Sequence, residues 1–368
     1  MSKLKIIISG VNIQNGGALS IYKECLHELE NASQYDVIAL VHDKSLFNDF
    51  KNIRFIELAR AKRNYFYRLF YEYFYFYFLS LRLTPDLWLS LHDMTPNVKA
   101  PYRAVYCHNP APFYQMSKLE KQLDRKMWLF NKFYSWVYRI NIHKNSNLIV
   151  QQNWLADEFS SRYQVPPAKI IVANPQGLKV SVDRKMMKSS SEKKIFFYPS
   201  FPRSFKNFEV ICSAAEILIQ QGISDFEVIL TIDGNENPYS KHIVDRFKKL
   251  SCIKFIGLIS RDKVLEYYEE SSCLIFPSKI ETWGLPISEY KSYAKPILVA
   301  DLPYAVETIG DYSNVAYFPV NDSKILAQLM LKIINGEVFS ESRKKRENKY
   351  TTVTSWLALI NILLGQKQ

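Results

Sequence analysis

The chain has 368 residues, 48% of them hydrophobic, and a formal net charge of +12. That length suits two domains of ordinary size, and the apolar content excludes a disordered or fibrous chain. The positive balance points to an anionic partner, with nucleic acid, anionic lipid and phosphorylated metabolites all admissible.

In chain order, the opening run MSKLKIIISG is too short for a secretory leader and reads as a first strand over residues 5–9. A Gly/Asn-rich loop (10–17) and a helix (18–29) follow, then strands at 37–41 and 53–57. Eleven of the fourteen residues in 65–78 are Tyr or Phe, and the longest stretch without a charge, 73–81, is nine residues. A membrane span needs about 20 apolar residues, so this segment is read as a helix of the first domain. Phe66, Phe70, Phe74 and Phe78 recur every four residues, a stripe expected to pack on the sheet. Tyr67, Tyr71 and Tyr75 lie beside it, and Arg68 with Glu72 forms an i,i+4 pair on a narrow polar side. Tyrosines near Arg60, Lys62, Arg63 and Arg68 suit an outward edge resting on the inner leaflet of a membrane, those four bases meeting anionic headgroups.

Strands are expected at 86–91, 104–107, 146–150 and 169–172, with a long helix near 119–141. The polar stretch DRKMMKSSSEKK, 183–194, is read as the domain junction. A second alternation places strands at 194–198, 226–231, 253–256, 273–276 and 296–300. The terminal segment 342–364 reads as a basic stretch followed by an apolar helix, TSWLALINILLG. The reading is therefore α/β, with two Rossmann-like domains and a ligand cleft between them at the strands' carboxyl ends. The first domain is 1–185, with the C-terminal helix (350–368) packing back on it, and the second is 190–345.

The densest chemical signal is IFPSKIETWGLPISEYKSYAKPILVAD, 275–301. A buried strand ends in Pro277-Ser278, Glu281 sits on the loop, and a helix is expected to begin near Ile287 with Glu289 in its first turn. Free backbone N–H groups at such a start favour an anion, Gly284 allows close backbone approach, and a carboxylate accepts two hydrogen bonds from a vicinal diol. An ordinary turn with a surface glutamate is the competing reading. In YPSFPRSFKNFEV, Arg203 and Lys206 precede a helix, where a solvated basic loop is the plain reading. In NIQNGGALSIY, Gly16 and Gly17 open a turn or a phosphate-contacting loop; the pattern is not GxGxxG. His108 follows a strand in VYCHNPAPFY, and His92 in SLHDMTP is either structural or faces an acceptor. The five cysteines (Cys25, Cys107, Cys212, Cys252, Cys273) lack CxxC or metal spacing and read as reduced core thiols of a cytosolic protein. There is no Asp-x-Asp, nucleophile elbow or Walker loop.

The string Glu281-Thr-Trp-Gly-Leu-Pro-Ile-Ser-Glu289 resembles the E-x7-E signature of retaining glycosyltransferases of family 4, which have the GT-B fold. The resemblance implies that Glu289 binds a nucleotide ribose and Glu281 the donor sugar. It also implies that the backbone at Trp283, Gly284 and Leu285 holds sugar hydroxyls and phosphate. Lys206 and Arg203 would support the leaving diphosphate, His108 would contact the donor sugar, and Gly16 and Gly17 would touch phosphate or acceptor. It implies hexose transfer from a nucleotide-diphosphate sugar (GDP-mannose, UDP-hexose or dTDP-rhamnose), without a metal or other cofactor. The acceptor would be a glycan or a polyprenyl-diphosphate-linked glycan of O-antigen or capsule type. The protein would sit in the cytoplasm against the inner face of the cell membrane and bind no nucleic acid. A nucleotide-sugar epimerase of the same fold, a basic nucleic-acid binder and a non-catalytic membrane-associated protein are the alternatives.

Overall fold

A computed structural model of the chain describes residues 3–14, 16–174, 193–341, 343 and 348–365. The chain divides into two units: Met1–Phe113, Lys132–Gln176 and Glu347–Gln368 form one, and Tyr114–Asn131 with Gly177–Arg346 form the other. The expected junction at 183–194 falls, apart from Lys193 and Lys194, outside the described residues.

In the first unit, strands β1 (Leu4–Ser9), β2 (Tyr35–Val41), β3 (Arg54–Glu57), β4 (Leu87–Ser90), β5 (Tyr102–Cys107), β6 (Asn147–Val150) and β7 (Ile170–Ala173) pair in parallel. A last strand, β14 (Thr351–Val353), adds beside β7. The sheet order is β14-β7-β6-β5-β4-β1-β2-β3. Strands covered on both faces need continuous apolar runs, and Ile6, Ile7 and Ile8 are all fully buried. Alternation sends Ile6 and Ile8 to the layer holding α1 (Gly16–Glu30) and α13 (Trp356–Leu363), and Ile7 to the opposite layer with Phe76 and Trp88. A Cβ on Gly10 would meet the Tyr22 ring at 2.3 Å, so helix α1 can close on the sheet only over glycine.

The aromatic segment forms α2 (Tyr65–Phe70), a π-helical turn (Tyr71–Tyr75) and α3 (Phe76–Leu83). Its orientation corrects the sequence expectation. Phe66, Phe70, Phe74 and Phe78 are 76%, 43%, 56% and 54% exposed, whereas Arg68 and Glu72 are 7% and 0% exposed. The core side is taken by Phe76 and Leu79, with Tyr71, Tyr75 and Leu83 packed against it. Tyr71 and Tyr75 therefore do not form an outward edge, and Arg68, expected among the headgroup contacts, is buried instead. The physical reason is that the buried side offers partners for charge. Arg68 Nη2 donates to the His92 carbonyl (3.0 Å) and to the Tyr134 hydroxyl (3.3 Å). His92 Nε2 lies 3.2 Å from Glu72 Oε1 and 3.1 Å from Ser9 Oγ.

The expected helix at 119–141 is broken at Asp124 into α4 (Lys118–Leu123), started by a Ser117–Glu120 capping box, and α5 (Arg125–Arg139). Helix α6 (Asn153–Tyr163) follows β6. The C-terminal segment is not helix alone: β14 precedes α13, whose Trp356, Leu359, Ile360 and Leu363 enter the first unit's core.

The second unit has six parallel strands in the order β10-β9-β8-β11-β12-β13. These are β8 (Lys194–Tyr198), β9 (Phe226–Leu230), β10 (Ile253–Phe255), β11 (Cys273–Phe276), β12 (Ile297–Ala300) and β13 (Val315–Phe318). Their helices are α7 (Phe208–Gln220), α8 (Pro238–Phe247), α9 (Arg261–Glu270), α10 (Leu285–Tyr290), α11 (Pro303–Ile309) and α12 (Ser323–Ile334). All five cysteines are free and buried. Both sheets change winding direction once, between β1 and β4 in the first unit and between β8 and β11 in the second. The carboxyl ends of those strand pairs are where an open parallel sheet leaves a crevice for ligands.

Candidate functional site

In the second unit the loops leaving β8 and β11 meet at that crevice. The first carries a short 3-10 turn, Ser204–Lys206, ended by Asn207 in the left-handed conformation (φ 59°). Asn207 Nδ2 donates to the carbonyls of Pro277 (3.2 Å) and Val320 (2.7 Å), and Tyr198 bonds Ser278 Oγ at 2.9 Å. These buried bonds fix the two loops against each other. They place the Lys206 ammonium on the Glu281 carboxylate as a largely buried ion pair.

Gly284 begins α10 at φ 81°, where a Cβ would lie 3.2 Å from Ile287 Cδ1. The helix starts at Leu285, two residues earlier than expected, because Gly284 takes the left-handed turn and Pro286 suits a first turn. Glu289 consequently lies near the end of α10 and not in its first turn. Side chains hold it instead: Arg261 Nη1 donates to Glu289 Oε2 at 2.8 Å and the Tyr268 hydroxyl to the same oxygen at 3.1 Å. Burial works against the Arg261 charge, but Glu289 outweighs it and raises the guanidinium above its usual range. Burial first, then Glu289, raises the Tyr268 phenol well above its own. Both contacts fall on Oε2. Trp283 is anchored at both ends, Nε1 donating to Ser288 Oγ (2.8 Å) and the carbonyl accepting from Thr308.

Arg203 sits apart from the Lys206–Glu281 pair. Its Nη1 is 3.5 Å from Asp124 Oδ2, and its guanidinium lies over the Phe201 ring. The segment Tyr114–Asn131 is held to this unit a second time, by Lys279 donating to Glu120 (2.9 Å) and Glu209 (3.0 Å). Burial acts to lower the Lys279 ammonium, but Glu209 and Glu120 overcome it and raise it. Reading the sequence missed Arg261, Tyr268, Lys279, Glu120 and Asp124 as parts of this constellation. Only the Ser260 cap ahead of Arg261 marked a helix start there, and no local pattern joins residues so distant in sequence.

In the first unit Gly16 opens α1 at φ 67°, with nothing within 4 Å of a Cβ placed there, and Gly17 continues the helix. Asp93, left-handed at φ 70°, accepts the backbone N–H groups of His108 (2.7 Å) and Asn109 (3.1 Å) and the Tyr138 hydroxyl (3.1 Å). His108 Nε2 stands 3.7 Å from Asp93 Oδ2, with the ring partly exposed after β5. His92 does not face an acceptor. It is fully buried, and burial followed by Arg68 depresses its ring well below the ordinary histidine range. It is a neutral member of the Ser9–His92–Glu72 cluster.

Residues 181–352, just under half of the chain, match the family model for glycosyl transferases group 1. The O-antigen chain mannosyltransferase B of Escherichia coli is 23% identical over 152 residues, covering 41% of this chain and 39% of that protein. The matched stretch spans about two fifths of the length of the curated relatives it matches. The structure of WaaG, a glycosyltransferase involved in lipopolysaccharide biosynthesis, superposes with a TM-score of 0.65 at 13% identity over 90% of each chain. The Anabaena protein HepE, solved with UDP-glucose, superposes at 0.61 with 14% identity, again over 90% of each chain. The fold, two Rossmann-like parallel-sheet domains, is that of the GT-B glycosyltransferases.

Proposed function

We propose that this protein is a retaining glycosyltransferase that moves a hexose from a nucleotide-diphosphate sugar to a glycan or a lipid-linked glycan. The observation that carries the reading is the pair of oriented glutamates at the β8/β11 crevice. Glu281 is neutralised by Lys206, and Glu289 is held through one oxygen by Arg261 and Tyr268. A carboxylate fixed by one lobe is prepared to accept the two hydroxyls of a ribose with the other. The neighbouring ammonium is available to the negative charge of a diphosphate.

In this reading the bond from sugar C1 to the β-phosphate oxygen breaks while the acceptor oxygen bonds C1 on the same face. The acceptor's proton passes to the departing diphosphate, so no protein base is required. Lys206, with Arg203 once it leaves Asp124, stabilises the charge that develops on the leaving group, and Glu281 and His108 orient the donor sugar. The backbone amides at Trp283, Gly284 and Leu285 would supply hydroxyl and phosphate contacts. The acceptor side is assigned to the first unit, next to Gly16 and Gly17. The proposed setting is the inner membrane face, where O-antigen-type acceptors on polyprenyl diphosphate are extended.

Calorimetry with UDP, GDP and dTDP and their sugar conjugates tests the reading. One nucleoside diphosphate is expected to bind the wild type and to lose affinity in Glu289→Gln. A chain that binds none of them overturns it. Turnover of the sugar nucleotide to a second sugar nucleotide without any acceptor replaces it by epimerisation.

A further inference from the structure

The aromatic segment is built inside out. Its ionisable residues Arg68 and Glu72 are buried, while Phe66, Phe70, Phe74 and Phe78 face outward and only Phe76 among its phenylalanines enters the core. A soluble surface helix does the reverse. The outward rings are continuous, Phe70 to Phe74 at 5.3 Å and Phe74 to Phe78 at 5.2 Å between centroids. The strip widens at one end, where Tyr65 lies 5.6 Å from Phe133, which in turn neighbours the exposed Trp136 at 6.4 Å. A contiguous apolar surface of this kind marks a place where something else sits.

The charges beside it identify the occupant. Arg60, Lys62 and Arg63 precede the strip and Arg82 follows it, all exposed. Between residues 58 and 85 the sole carboxylate is Glu72, and it is buried. An apolar strip flanked by cations, with carboxylate charge withheld from the same surface, complements an anionic bilayer: rings enter the acyl boundary and bases meet headgroups. No helix among the described residues is long and apolar enough to cross a membrane, so the segment would lie in the interface plane.

We infer that the face formed by Phe66, Phe70, Phe74, Phe78 and Trp136 is a docking surface for anionic membrane lipid, with Arg60, Lys62 and Arg63 as its headgroup contacts. This deepens the membrane-side placement proposed above and is independent of the donor chemistry. The bases rather than the tyrosine edge set the preference for anionic lipid, and the phenylalanines set the depth of insertion.

The test is flotation of the full chain with vesicles of phosphatidylcholine alone and of phosphatidylcholine with phosphatidylglycerol. Wild type is expected to float with the anionic vesicles. Phe70→Ser with Phe74→Ser lowers partition by about tenfold per residue. Replacing Arg60, Lys62 and Arg63 by Gln lowers it by about fivefold per residue, and high salt does the same to wild type. Wild type that ignores anionic vesicles, or serine variants that float unchanged, overturns the inference. A wild-type dimer that the serine variants dissociate, without vesicle binding, assigns the face to a second copy instead. Nucleotide binding by each variant shows that it is folded. Wild type that floats with anionic vesicles but binds no nucleoside diphosphate counts against the transfer reading alone.

Discussion

Glu72→Gln examines why the aromatic segment turns its charges inward. Glu72 is fully buried, and burial raises its carboxyl to about 8, partly opposed by Arg68; His92 and Tyr73 are the other ionisable groups beside it. An unfolded carboxyl titrates near 4.3. Between these values the native chain holds a proton that the unfolded chain has released, so native stability falls as pH rises through the window and levels off above the folded value. The slope for one proton is about 1.4 kcal/mol per pH unit, equivalent to tenfold in the opening equilibrium. Glutamine keeps the shape and cannot ionise. Hydrogen exchange of peptides covering 65–83, compared between wild type and variant at the same pH, removes the intrinsic pH dependence of exchange. From pH 5 to 8 the wild type is expected to lose protection relative to Glu72→Gln, steeply at first and then flattening. Parallel protection profiles would refute the assignment of a protonated, buried Glu72.

Arg261→Ala removes a charge-assisted bond to Glu289. Discounted for the exposure of Arg261, this is worth about 1 kcal/mol, so nucleotide affinity is expected to fall roughly fivefold by calorimetry with the melting temperature nearly unchanged. Lys206→Ala leaves Glu281 buried without its cation and is expected to abolish sugar transfer, measured with radiolabelled donor; wild-type turnover would remove Lys206 from the site. Gly284→Ala must hold φ 81° and crowd Ile287, costing about 1–2 kcal/mol, read as a lowered urea midpoint of the second unit. Lys279→Met removes the cation beside Glu120, which keeps its bonds from Tyr114 and Ser117, and is expected to expose the segment 114–131 to limited proteolysis; an unchanged digestion pattern would show that other contacts hold it.

Much of this architecture was legible locally. Runs such as Ile6–Ile8 and Leu274–Phe276, with turn signals and helical stretches between them, define buried parallel strands by hydrophobic period alone. The spacing of Glu281 and Glu289 across a strand–loop–helix marked where to look, whereas the left-handed turn at Gly284 was not foreseen. The β14 strand escaped notice because three residues carry no period, and only pairing with β7 makes Thr351–Val353 extended.

What tertiary structure alone decided was which side chains charge could meet. A four-residue aromatic stripe specifies a helix but not which way it faces. The orientation was settled by Ser9, His92 and Tyr134, brought under Arg68 and Glu72 from other strands and helices. The same holds for Glu289, whose first-turn placement failed because the backbone at Gly284 started the helix early. Its orientation came instead from Arg261 and Tyr268 on α9. Local sequence reports backbone preference and apolar period, while the partners of a buried charge are fixed by long-range packing, because only there is a desolvated carboxylate compensated.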